Sequence, residues 1–264
     1  MSNALAMNGS SASAGQSSQY PLFYKRPVVL RFEAHKNKAL VPQTHYRFAA
    51  ASNAVPISIG EFMPAIRNYP IVFAEGSLAP VAILGLKQTE NLFLEPNGAW
   101  RSGAYIPAYL RPYPFILAQA DGSNRRALTV DEDSDRFVDL TADDDPQGRL
   151  FTDDGAATPM AKDILKFCEA YHQQHLAGEA FVAAIKEADL LVAKNADMTF
   201  PDKSTYQLRG FRIIDPERFR ALPAALVADW HSKGWLNAIA LHLASQQNWQ
   251  LLLALHQSKS EGNP

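Results

Sequence analysis

Cys168, His172, His175 and Glu179 stand at offsets 0, 4, 7 and 11. On an unbroken helix that spacing sets a thiol, two imidazoles and a carboxylate on one face. Such a donor set would hold zinc or iron. The same Cys–His neighbourhood would activate a thiolate nucleophile. The competing reading is packing: Cys168 in the core, the histidines on the polar side, and Gly178 ending the helix before Glu179. A second donor set is acidic. Asp143, Asp145, Gly148 and Asp154 fall at positions 1, 3, 6 and 12 of a calcium loop, with Leu150 at position 8. Gln147 at position 5, the internal Pro146 and a terminal Asp depart from that pattern. They leave a solvated acidic loop as the alternative. Neither set is assigned a metal, and no cofactor is expected.

Trp100, Tyr105, Tyr109, Arg111 and Tyr113 gather large amphipathic rings and a cation in one short tract. Pro107, Pro112 and Pro114 restrict its backbone. The tract suits a recognition surface for a sugar, peptide or protein. The favoured reading is a packed corner whose tyrosines anchor their hydroxyls to backbone. His242 lies among Leu236, Ile239, Ala240 and Leu243 on an apolar helix. It is the candidate general base, provided a carboxylate partners it; otherwise it is a core histidine. No G-x-S-x-G elbow, Walker loop, dinucleotide fingerprint or H-E-x-x-H occurs in the chain, which argues against the common hydrolase, nucleotide and metalloprotease classes.

The elements that must position these residues follow from composition and punctuation. Hydrophobic residues make up 47 % of the 264 and charged residues 20 %, the balance of a chain with a packed core. Lys plus Arg total 25 against 27 Asp plus Glu, so no basic excess favours nucleic acid as a partner. One cysteine excludes an intrachain disulfide and makes the cytoplasm the default compartment. No apolar run approaches the ~18–20 residues that span a bilayer, so membrane insertion is not expected. No Lys or Arg precedes Lys25, so surface association would require a signal-peptide-independent route.

Residues 1–19, rich in Ser, Ala, Gly, Asn and Gln, read as a disordered tail. Residues 20–138 read as β-rich. Strands are expected at Val28 to Phe32, His45 to Phe48, Ile71 to Phe73, Val81 to Leu84, Asn91 to Leu94, Phe115 to Ala118 and Ala127 to Val130. Asp121-Gly122-Ser123-Asn124 signals a hairpin between the last two. Short helices are expected near Glu61 to Arg67 and Ile106 to Arg111. An acidic loop follows at 139–157. Ten acids stand against two arginines between Asp131 and Asp154. Residues 158–257 read as helical, with Thr158-Pro159 and Asp215-Pro216 as caps and Gly234 as a stop. A strand pair near 196–214 is expected to rejoin the sheet, and 258–264 reads as a tail. The predicted class is α+β: a mostly antiparallel β-rich N-terminal region packed against a helical C-terminal region, as a single domain over 20–257.

Several peptides, in order and spacing, resemble the SapC family, named for a bacterial surface-layer-associated protein. They are Tyr69-Pro70-Ile71-Val72-Phe73, Pro80 to Leu86, Glu90-Asn91-Leu92-Phe93, Tyr105 to Phe115 and Asp131-Glu132-Asp133-Ser134. Gly210-Phe211 with Ile213 and Asp215 follow, then Gly234-Trp235-Leu236 with Ile239, His242, Ser245 and Asn248. The resemblance implies an accessory or interaction protein of a cell-envelope or nutrient-uptake system. Its implied neighbours resemble flavin-dependent tryptophan halogenases and outer-membrane receptors. It implies no catalytic residue set. A protein partner or a small-molecule ligand would then be the target. The alternative is an enzyme or enzyme subunit acting on a small metabolite or peptide, with His242, Arg111 and the tyrosines lining a pocket between sheet and helices.

Overall fold

Proline and glycine cut this chain into short strands, and only its C-terminal part carries long helices. The structure is a computed structural model that describes residues 2–4, 20–119, 125–140, 148–199 and 205–260. The strands are β1 (Ser2–Ala4), β2 (Pro27–Val29), β3 (Lys38–Leu40), β4 (Ala54–Pro56), β5 (Ile71–Ala74), β6 (Pro80–Ile83), β7 (Phe115–Gln119), β8 (Arg126–Asp131), β9 (Phe137–Asp139), β10 (Leu191–Thr199) and β11 (Thr205–Ile214). The α-helices are α1 (Phe32–His35), α2 (Phe62–Ala65), α3 (Pro159–Glu187), α4 (Pro216–Arg220), α5 (Ala224–Ser232), α6 (Trp235–Ser245) and α7 (Asn248–Ser260). The class is α+β, as expected. The chain divides into two compact units. One takes Met1–Ser17, Tyr46–Pro107 and Gln174–Pro264; the other takes Ser18–His45 and Ala108–Gln173.

In the first unit β11, β5, β6 and β4 pair in that order, all antiparallel. β10 flanks β11, and β1 joins it in parallel. β5 and β6 are apolar on both faces, and all eight of their residues are buried. β11 rejoins this sheet by pairing Phe211 with Ala74 and Arg212 with Phe73. The β10–β11 register shifts between Lys194 and Ala196, opposite Gly210 at φ +83, where a bulge needs a residue without Cβ strain. Gly85, inside the Pro80 to Leu86 string, is required for a different reason. A Cβ there would sit 2.1 Å from the Glu90 carbonyl oxygen.

α6 and α7 cover β5 with an apolar side and a set of polar fasteners. Phe73 meets Phe181 at 6.5 Å and His242 at 5.0 Å, and Phe211 meets Trp249 at 5.7 Å. Ser245 Oγ accepts from Ile71 N at 3.0 Å, and Gln246 Nε2 donates to Ile71 O at 2.7 Å. Asn248 Nδ2 donates to Ile66 O at 2.6 Å and Tyr69 O at 3.0 Å. These side chains satisfy buried backbone groups that no strand reaches, each of which would otherwise cost about 1–3 kcal/mol.

In the second unit β2, β8 and β7 form one antiparallel sheet, and β3 pairs with β9. Phe115, Val130, Phe137, Leu150, Ala161 and Cys168 make its core. The β7–β8 pairing bears out the hairpin, whose turn residues 121–124 lie outside the described residues.

The caps fall where the residues place them. Thr158 Oγ1 accepts from Ala161 N at 3.3 Å, Asp215 Oδ1 accepts from Glu217 N and Arg218 N, and Gly234 stands at φ +71 between α5 and α6. Four expectations are corrected. Gly178 does not end a helix: α3 runs through it, because glycine costs only about 1 kcal/mol in a helix interior. Residues 108–114 form successive turns with no helix, as Pro107, Pro112 and Pro114 require. Arg47–Ala49 is a 3-10 turn where a strand was expected. Tyr46 N is drawn to Gly98 O at 2.8 Å there. Asn91 to Leu94 contributes a single bridge, Leu94 to Trp100. Most of the 1–19 tail lies outside the described residues, and α7 continues to Ser260.

Candidate functional site

Three carboxylates are largely buried: Glu61 and Glu90 close local turns, and Asp131 ties β8 to the segment before β2. Asp131 is fully buried at the end of β8. Its oxygens accept from Lys25 N at 3.1 Å, Arg26 N at 2.8 Å and the Tyr113 hydroxyl at 3.0 Å. Glu61 accepts from Ser58 N at 2.8 Å, Ser58 Oγ at 3.0 Å and the Tyr105 hydroxyl at 3.0 Å. Glu90 accepts from Leu86 N at 3.2 Å and Lys87 N at 3.4 Å, and pairs with His256 Nδ1 at 2.9 Å.

The aromatic tract is distributed over the two units. In the first, Trp100 Nε1 donates to the Tyr69 hydroxyl at 3.1 Å and to Tyr105 O at 3.2 Å. In the second, Tyr109 donates to Leu22 O at 2.9 Å, and Tyr24 donates to Phe115 O at 2.7 Å. Burial pushes the pKa of Tyr69, Tyr109 and Tyr113 above the usual phenol value. Tyr113 is buried, Tyr109 half-buried, and Arg111 stands exposed beside them.

His242 is fully buried on α6. Its Nε2 accepts from Ile214 N at 3.0 Å, which places the neutral ring's proton on Nδ1. Burial drives its pKa down to about 3. The Ile71 carbonyl, already bonded to Gln246, pulls the other way without closing a hydrogen bond to Nδ1. The imidazole therefore holds the end of β11 to α6.

The Cys168 stripe does form, because α3 is continuous, but it is stretched along the helix. A rise of about 1.5 Å per residue puts Cys168 roughly 10 Å from His175. Cys168 is buried in the second unit's core, where burial first and Glu169 second push its thiol up to about 12. His175 and Glu179 line a groove of about 380 Å³ in the first unit with Ser58 and Val182. Among the described residues no three His, Cys, Asp or Glu side chains group as metal ligands. Asp143 and Asp145 lie outside the described residues. Asp154 is exposed, its pKa held low by hydrogen bonds from Thr152 and Ala156 N.

The arrangement best suited to binding is one that residue spacing does not announce. A groove of about 520 Å³ in the first unit is lined by Arg47, Arg101 and Lys259, a single acid, Glu95, and the apolar Leu92, Leu94 and Leu255. Arg47 Nη2 donates to Asn97 O at 2.6 Å, and its stem lies over Gly98, where a Cβ would meet it at 2.6 Å. Gly98 at φ +87 makes both the turn and the approach possible. Lys259 comes from the last turn of α7, and Nζ reaches Asn91 O at 3.5 Å. Three cations in one cavity stand out in a chain whose acids outnumber its bases. They come from three distant stretches, so only the tertiary fold reveals them.

A family model described as SapC matches residues 30–252. No curated protein and no solved structure matches the chain. No helix among the described residues is long and apolar enough to cross a membrane.

Proposed function

The chain belongs to the SapC family, and from that premise we propose that it acts by binding, as an accessory protein of a cell-envelope or nutrient-uptake system. The observation that carries this reading is the groove of Arg47, Arg101 and Lys259. It is preformed, of the size ligand sites have (about 300–1,000 Å³), and brings three cations to face one acid. The Arg101 side chain is exposed and makes no hydrogen bond or ion pair among the described residues; its backbone N donates to Phe93 O at 2.8 Å. The side chains best equipped for catalysis are engaged otherwise. The Cys168 thiol stays protonated at neutral pH, and His242 is a buried acceptor for a backbone amide.

The test is cross-linking of the full chain in the cells that make it, with identification of what is joined to it. An envelope or uptake component joined to the wild type and missing from the Arg101→Glu/Lys259→Glu variant is the expected result. Steady turnover of a metabolite by the purified chain, lost in His242→Gln at a temperature where circular dichroism shows that variant still folded, would overturn the reading in favour of an enzyme.

A further inference from the structure

We propose that the groove holds a small amphipathic monoanion: a carboxylate carrying a short aliphatic body. This rests on the reading of the protein as a binder and names what it binds. The head group follows from charge. Arg47, Arg101 and Lys259 face one acid, so the lining carries a formal +2. Arg47 is fixed in place by Asn97 O and by its bed on Gly98, which preorganises a guanidinium fork for a planar carboxylate. The Arg101 guanidinium, exposed and without a hydrogen-bond or ion-pair partner among the described residues, supplies a second fork.

The single negative charge follows from what else surrounds the groove. Glu95 stands in the lining, and Glu90, paired with His256 of α7, immediately precedes the lining residue Asn91. The last turn of α7 also presents the negative end of its dipole, which Lys259 offsets. A second negative charge on the ligand would meet these groups. The aliphatic body follows from Leu92, Leu94 and Leu255, which share the lining with the cations and offer apolar surface worth about 25 cal/mol per Å² covered. A bare oxyanion would leave that surface wet, and a neutral alkane would leave the guanidinium groups without a partner.

Isothermal titration of the full chain with octanoate, octanol and inorganic phosphate tests this. Octanoate is expected to bind and to weaken about tenfold from low to high salt. Octanol and phosphate are expected to bind at least about tenfold more weakly than octanoate. Arg101→Ala and Lys259→Ala, both at exposed positions, each weaken octanoate by about two- to fivefold. The Arg101→Glu/Lys259→Glu variant abolishes it at an unchanged melting temperature. Octanol matching octanoate, phosphate matching octanoate, no binding by octanoate, or binding indifferent to the charge reversal each overturns the proposal. If octanoate fails while the in-cell partner is still lost on charge reversal, the ligand class falls and the binding function stands.

Discussion

At the scale of the residue, buried polar groups here are fasteners, and their removal should be felt as lost stability. Asp131 shows this most simply. Its two oxygens receive three donors, and Asp131→Asn would turn an N–H toward at least one of them. A loss of about 2–3 kcal/mol is expected in urea melts, from an unsatisfied buried donor and a weaker charge-assisted bond. His242 gives a pH signature. Its imidazole titrates near 6.5 when unfolded and at about 3 when folded. Between those values the unfolded chain binds a proton that the folded chain does not. Stability is therefore whole above about 6.5 and declines as pH falls toward 3, by at most about 1.4 kcal/mol per pH unit. His242→Gln keeps an acceptor for Ile214 N but cannot titrate. Its stability deficit against wild type at pH 7 should shrink at pH 4.5, and a constant deficit would refute the assignment. That His242, Ser245 and Asn248 would be polar residues inside an apolar helix pair was legible in the chain. Their partners on β5 and β11 were not, because backbone groups carry no residue identity.

At the scale of the element, α3 separates propensity from packing. Gly178 looks like a terminator in one dimension, yet the helix continues because the apolar residues beyond it, Phe181 and Ile185, are fully buried. A Cβ at 178 would meet Ile59 Cγ2 at 3.8 Å, an ordinary contact. Gly178→Ala should therefore stabilise the protein by about 0.5–1 kcal/mol, read as a raised melting temperature. A drop would mean the close approach to Ile59 is tighter than it stands. Elements with strong local signals were legible: β5, β6, the β7–β8 hairpin and the caps of α3 and α4. Three-residue strands such as β3, β4 and β9 were not. They show no alternation long enough to detect and exist only because a partner strand is present.

At the scale of the whole molecule, the α+β class was legible, since buried strands crowd the first half and helical stripes the second. The partition into units was not, because each unit draws on stretches far apart in the chain. Residues 46–107 alone would leave β5 without β11, and 108–173 alone would leave β8 without β2 and β9 without β3. Neither fragment should fold when expressed by itself, as judged by circular dichroism and amide dispersion; a cooperative melt from either would contradict this. The groove was illegible for the same reason, its three cations being remote from one another in the chain.

The bond from Ile71 N to Ser245 Oγ has a kinetic consequence. That amide is shielded by a side chain of α6, and no neighbouring strand accepts from it. In heavy water it should take up deuterium only as often as α6 lifts from β5, while the Val81 and Ile83 amides of β6 wait for the sheet itself to open. One proton thus serves as a clock for the undocking of one helix.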